Sequence, residues 1–238
     1  MTFTIITPII NKDLLKPQFD LLLKSINKQK ISNNIKWLLI GDRSSFLTFK
    51  KIKNIQIKSR FLIKTGNIYQ CLNHAIKSLK TKFYLFIGAD DYFLKNSFKL
   101  LNNITQCAEK KKFEIIIFKT NLNNNRPSFS WGNFNLSGGM LINKRIHKKF
   151  GYFSENYKIA SDFDFYLRLK KKDFEINRKV LVIKKKICKI GIGGISSMKY
   201  GQSILEKVDI EKKFKTNKSI IIYLTNLIIY LIILVKKI

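Results

Sequence analysis

The sequence predicts an α/β domain with a mostly parallel central sheet flanked by helices. Two observations carry this prediction. Short apolar runs of strand length alternate with stretches whose apolar residues recur every three or four positions. The runs are closed by polar residues or by Gly, Pro and Asp, as at Thr7-Pro8, Gly41-Asp42 and Gly88-Ala89-Asp90-Asp91.

Taken in order, Thr2–Thr7 reads as a buried strand stopped by Pro8. From Asp13 to about Lys28 the spacing of Leu14, Leu15, Phe19, Leu22, Leu23 and Ile26 predicts one helix. Ile35–Ile40 is a second strand, closed by a turn-like Gly41-Asp42-Arg43-Ser44-Ser45, and Ile52–Ile63 supplies another. Ile68–Leu79 is an amphipathic helix and Phe83–Ile87 a continuous apolar strand. A helix to about Lys112, a strand at Glu114–Lys119 and a polar loop at Asn121–Trp131 follow. The second part contains a strand at Gly138–Ile142, a short helix, and a helix at Ser161–Lys172. The expected organisation is one domain over 1–200, divided near 120, and a separate C-terminal segment over 201–238.

That segment has its own character. Ser219–Val235 reads SIIIYLTNLIIYLIILV, flanked by Lys207–Lys218 and Lys236-Lys237. As a helix, Ile220–Val235 spans roughly 24 Å, somewhat less than a hydrocarbon core of about 30 Å. Only Thr225 and Asn226 interrupt it, so it reads as a tail anchor or a shallow interfacial helix, with a buried packing helix as the alternative.

The 238 residues carry 46 Lys and Arg against 15 Asp and Glu, a formal charge of +31. Such a charge favours polyanions or anionic membranes, although AT-rich coding bias produces the same Lys, Asn and Ile excess. Arginine is confined to 43, 60, 126, 145, 168 and 178. Base-edge readout relies on Arg forks, and no nucleic-acid-binding signature is present, so a nucleic-acid partner is not expected. Cys71, Cys107 and Cys188 form no CxxC pair, which fits a reducing compartment. The opening residues Thr2–Thr7 have no basic n-region or cleavage site before them, so no signal peptide is expected.

In open α/β sheets, ligands bind at the carboxyl ends of the strands. Here those ends carry Thr7-Pro8, Asp42 and Asp90-Asp91. Adjacent carboxylates repel each other unless a divalent cation stands between them and a diphosphate. The competing reading makes Asp90 the N-cap of the next helix. Asp162 likewise reads either as a functional carboxylate or as an N-cap. Asp164 pairs with Arg168 one turn on. His147 reads as a surface residue and His74 as a helix-face residue.

TPIIN at 7–11, IGDRSS at 40–45, NIYQCLNHAIKSLKTKFYLFIGADD at 67–91 and SDFDFYLRL at 161–169 resemble, in collinear order over about residues 2–197, the family 2 glycosyltransferases. These have the GT-A fold, a Rossmann-like sheet, and the likeness is greatest to bacterial enzymes of surface-glycan synthesis (lipopolysaccharide, capsule, exopolysaccharide). The resemblance implies a nucleotide-diphosphate sugar donor, a UDP-sugar first, and a glycan or lipid-linked acceptor. It implies Mg²⁺ or Mn²⁺ at Asp90 with Asp91, and nucleotide-sugar contacts from Thr7, Pro8, Asp42, Asn73, Ala89 and Asp90. Asp162 corresponds to the general base of an inverting transfer, and Gly138, Gly139 and Asp164 lie on the acceptor side.

The chain departs from the family at Gly88 and Gly41, where acids are usual, and at Gln70. Gly191–Ser197 resembles a late Gly-rich element, readable as a phosphate-binding loop or a turn. A catalytically degenerate scaffold of the same family is the alternative function, and a basic nucleic-acid-binding protein a more distant one. The tail and the charge place the protein at the cytoplasmic face of the cell membrane, peripheral or C-terminally anchored.

Overall fold

The computed structural model describes residues 3–9, 11–14, 16–30, 34–119, 136–171, 179–191, 199–214 and 228. The expected loop at 121–131, the Gly-rich residues 192–197 and the apolar tail, apart from Ile228, lie outside them.

The strands are β1 (Phe3–Pro8), β2 (Ile35–Gly41), β3 (Ser59–Ile63), β4 (Phe83–Phe86), β5 (Tyr92–Phe93), β6 (Ile115–Phe118), β7 (Met140–Asn143), β8 (Val180–Ile183) and β9 (Cys188–Lys189). The helices are α1 (Asn11–Leu14), α2 (Pro17–Asn27), α3 (Arg43–Lys50), α4 (Ile68–Ser78), α5 (Ser97–Lys110), α6 (Leu136–Gly139), α7 (Ile146–Phe150), α8 (Ser161–Lys171) and α9 (Tyr200–Phe214). A seven-stranded sheet runs β3-β2-β1-β4-β7-β6-β8, and β5 pairs with β9 apart from it. All strands of the large sheet are parallel except β7, which is antiparallel to both its neighbours. The α/β class with a mostly parallel sheet is therefore as expected.

Side chains alternate across β1. Phe3 and Ile5 enter a core with Phe19, Leu22, Phe98 and Leu101 from α2 and α5, while Ile6 enters a second with Leu72, Ile76 and Phe165 from α4 and α8. Both faces of the sheet are thus covered, which is why its strands read as continuous apolar runs.

Several boundaries differ from the sequence expectation, each for a local reason. The helix expected over 13–28 breaks at Pro17, whose ring suits the first turn of α2 and cannot continue α1. The supposed turn at 41–45 is the start of α3: Asp42 accepts the Ser45 N–H at 2.7 Å and caps it. Of Ile52–Ile63 only the last five residues form a strand. After Asp91 comes β5, and α5 begins six residues later at Ser97, so Asp90 does not cap it. Gly138 and Gly139 end a helical turn, and the strand starts at Met140.

His147 is a further correction. It is 2% exposed, with Nε2 2.7 Å from the Tyr84 hydroxyl and Nδ1 3.0 Å from the Gly151 carbonyl. The surrounding Lys residues suggested a surface turn, but the imidazole stacks between Tyr152 and Phe165.

The carboxyl edge of the sheet as the candidate active site

Parallel pairing brings the carboxyl ends of β1, β2, β3 and β4 to one edge of the sheet, carrying Pro8, Asp42, Lys64 and Gly88–Asp91. Because Leu85 of β4 lies opposite Leu141 of antiparallel β7, the start of β7, with Gly138-Gly139 before it, reaches the same edge. The N-terminus of α4, entered from β3, lies there too. Asn67 caps it with a capping box: its side chain accepts the Tyr69 and Gln70 N–H groups, and Gln70 Oε1 accepts the Asn67 N–H. Gln70, unusual in the resemblance, thus has a folding role.

Asp90 and Asp91 diverge. Asp91 is buried, and its two oxygens accept the N–H groups of Gly88 at 2.8 Å and Gly191 at 2.9 Å, tying the end of β4 to the segment after β9. Asp90 is half-buried, as is Ala89 beside it. A Cβ on Gly88 would stand 2.9 Å from Asp90 Oδ1, and one on Gly191 would stand 2.7 Å from Asp90 Oδ2. The two glycines therefore keep the space around that carboxylate open. An acid at position 88 would crowd two carboxylates already there.

Position 41 is also closed to a side chain, since a Cβ would run into the Ile9 carbonyl. The carboxylate of the β2 end sits instead at Asp42. There the Ser45 N–H and the Ser44 hydroxyl, at 2.9 Å, hold it below the usual carboxylate range.

Other sequence candidates are committed to the fold. Thr7 is fully buried, and its hydroxyl accepts the Trp37 indole N–H at 3.0 Å, leaving half-buried Pro8 as the exposed end of β1. Asn73 is buried: its amide donates to the Phe153 carbonyl and Glu155 Oε1 and accepts the Phe153 N–H, stapling α4 to the segment before α8. Gly138 and Gly139 are buried at the base of the edge. Asp164 is 1% exposed and pairs with Arg168 Nε at 2.8 Å, as the i,i+4 spacing suggested. Arg168 also donates to the carbonyls of Phe150 and Tyr152, locking the turn before α8.

Asp162 stands differently. It is the second residue of α8, half-buried, and its Oδ1 accepts from the Tyr69 hydroxyl at 3.1 Å and from the Phe163 N–H at 2.9 Å. Burial pushes its carboxyl above the ordinary value, against the pull of the Lys207 ammonium and of these two donors. Burial lowers Lys207 in turn, and Asp162 partly restores it. Since Tyr69 sits in the first turn of α4, the Tyr69–Asp162 contact puts Asp162 at the carboxyl edge.

Tyr69 and Lys207 were not visible as site residues in sequence. The first lay in a helix pattern and the second at the start of a Lys-rich stretch.

Among the described residues, no group of three or more His, Cys, Asp or Glu side chains gathers to enclose a metal. The surroundings of Asp90 fit a divalent cation held by one carboxylate and completed by diphosphate oxygens and water, a common arrangement for Mg²⁺.

Several solved structures share this fold. The Staphylococcus aureus TarS fragment 1–349 in complex with UDP-GlcNAc is 19% identical with a TM-score of 0.66, covering 90% of this chain and 65% of that one. The Pyrobaculum calidifontis mannosyltransferase PcManGT in complex with GDP-Man and Mn²⁺ is 12% identical with a TM-score of 0.65, over 90% and 64% respectively. A 4-diphosphocytidyl-2C-methyl-D-erythritol synthase from Anaerococcus prevotii is 12% identical with a TM-score of 0.55, over 86% of this chain and 98% of that one. The chain thus spans just under two thirds of the TarS fragment. No protein-family model matches the chain, and no curated protein matches it in sequence.

Proposed function

We propose that the protein is an inverting glycosyltransferase that moves a sugar from a nucleoside-diphosphate donor, a UDP-sugar first, to a hydroxyl of a glycan or lipid-linked glycan. The observation that carries this reading is the half-buried Asp162, ringed by Tyr69 and Lys207 at the edge where Asp90 also lies. Glycosyltransferase structures bound to UDP-GlcNAc and to GDP-Man with Mn²⁺ share the fold and support it.

A sugar hydroxyl is a weak nucleophile near neutral pH. Asp162 accepts its proton as the oxygen bonds to the anomeric carbon and the carbon–diphosphate bond breaks on the opposite face. One such displacement inverts the anomeric centre and leaves a nucleoside diphosphate. The raised carboxyl of Asp162 makes it a better proton acceptor than an ordinary surface aspartate, while the nearby Lys207 favours its ionised form. Pro8, Asp42 and Ala89 line the donor's route along the edge. Asp90 would hold Mg²⁺ or Mn²⁺, which when bound neutralises charge on the departing diphosphate.

The net charge of +31, mostly Lys, and the apolar residues 219–235 support attachment to an anionic membrane at its cytoplasmic face. No helix among the described residues is long and apolar enough to cross a membrane.

The test is a thermal-shift and turnover screen of UDP-, GDP-, CDP- and dTDP-sugars with and without Mn²⁺. Stabilisation by a nucleotide-sugar, with turnover abolished and donor binding retained in Asp162→Asn, is the expected result. Undiminished turnover in that variant sinks the base, and silence across the panel favours the degenerate scaffold.

A further inference from the structure

The segment before α8 contains three successive backbone N–H groups that converge on one side chain. Glu206 Oε1 accepts from Lys158 N at 3.1 Å, and Oε2 accepts from Ile159 N at 2.8 Å and Ala160 N at 2.9 Å. These groups immediately precede Ser161 and Asp162. A helix N-terminus leaves donors unsatisfied and carries partial positive charge, so a carboxylate from another helix suits the place. Gln202 steadies the acceptor by donating to Glu206 Oε1 at 3.1 Å.

Glu206 belongs to a contact row at helical spacing. Glu206, Ile210 and Lys213 stand at i, i+4 and i+7 of α9. Ile210 packs with Ala160, Phe163 and Leu167, and Lys213 approaches Asp164 at 3.5 Å. Tyr157 adds a hydroxyl bond to Asp209 at 3.0 Å. Among the described residues, the charged and titratable groups that act on Asp162 are Tyr69 from α4 and Lys207 from α9, with Glu206 bound to the N–H groups just before it.

We propose that Glu206 is a positioning residue for Asp162: by holding three consecutive N–H groups it fixes the entry to α8 and so the direction from which the carboxylate meets the acceptor hydroxyl. This rests on the reading of Asp162 as the base. Helix α9 then shares with α4 the setting of the catalytic geometry, and it carries the first part of the Lys-rich segment.

The test compares wild type, Glu206→Gln, Tyr157→Phe and Asp162→Asn by amide hydrogen exchange and by turnover of whichever panel nucleotide-sugar the wild type uses. Glu206→Gln keeps the shape but puts an NH₂ against two of the donors. It is expected to speed exchange at Lys158–Ala160 about tenfold and to lower kcat about 10- to 100-fold, with donor KM changed less than about twofold. Tyr157→Phe loosens the same interface without touching those N–H groups and is expected to keep kcat within about twofold. Wild-type kcat in Glu206→Gln, or an equal loss in Tyr157→Phe, overturns the positioning role while an inactive Asp162→Asn preserves the base. Full turnover in Asp162→Asn, or no turnover of any donor by wild type, overturns the base reading and this proposal together.

Discussion

The Tyr69 hydroxyl lies 2.7 Å from the Ile159 carbonyl and 3.1 Å from Asp162 Oδ1, joining α4 to the entrance of α8 across 93 residues of sequence. One phenolic proton serves both acceptors. Burial keeps the phenol well above its ordinary pKa, so it remains a neutral donor whose share toward Asp162 favours the ionised carboxylate.

Removing that proton gives the first prediction. In Tyr69→Phe the Asp162 carboxyl loses a donor that holds it down, so its pKa rises. Less of the base is ionised at any given pH, and the acid limb of the kcat/KM profile moves to higher pH. Turnover should fall more at the acid end of the profile than at the alkaline end, with a stability loss of about 1 kcal/mol. A pH–rate series with urea melts checks both, and an unmoved acid limb would show that Tyr69 does not act on Asp162.

The adjacent acids at 90 and 91 should separate by phenotype. Asp91 is buried with each oxygen on a backbone N–H, so Asp91→Asn turns one acceptor into a donor facing a donor. The cost expected is about 2 kcal/mol, read by chemical denaturation without any ligand. Asp90→Asn should cost less stability than Asp91→Asn and instead weaken Mn²⁺-dependent donor binding about tenfold or more. The reverse pattern would exchange their roles.

His147 predicts an acid-sensitive fold. Burial lowers its pKa from 6.5 to about 4, with the Gly151 carbonyl opposing that shift and Arg168 adding to it. The unfolded chain takes up a proton below about pH 6.5, whereas the native imidazole stays neutral until about pH 4. Its contribution is therefore complete above pH 6.5 and is lost as pH falls toward 4, roughly 3 kcal/mol in all. Denaturant midpoints from pH 7 to pH 4 should fall more steeply in wild type than in His147→Gln. Parallel slopes would refute the assignment.

The sheet was legible in the sequence because strands buried on both faces read as unbroken apolar runs. Ile35–Ile40 and Phe83–Ile87 were found to within a residue. What escaped depended on partners far along the chain. Nothing near Thr7 announces that Trp37 will take its hydroxyl, and nothing near Asn73 announces Phe153. The capping role of Asp42 was readable from Asp-x-x-Ser but was obscured by the Gly before it. His147 was misjudged because four neighbouring Lys and Arg residues outweighed a single imidazole, whereas burial was decided by Tyr84 and Phe165. The carboxylates at 90, 91, 162 and 164 were visible as scarce acids in a basic chain. Their different roles were not, since these depend on which backbone N–H groups turn toward each one.

The buried approach of β9 to α6 supplies a final prediction. Gly138 has φ +60, and a Cβ there would overlap Cys188 Sγ, which itself donates to the Gly138 carbonyl at 3.3 Å. Gly138→Ala therefore meets two penalties: a left-handed backbone, costing an L-residue about 1 kcal/mol, and a steric conflict of about 2 kcal/mol. Only the second depends on the sulfur. Cys188→Ala alone should cost about 1 to 2 kcal/mol from the lost packing and hydrogen bond. The double variant should then be more stable than the sum of the singles implies, by about 1 to 2 kcal/mol. Strict additivity in that cycle would show that β9 and α6 do not meet as described and that the base of the carboxyl edge is built differently.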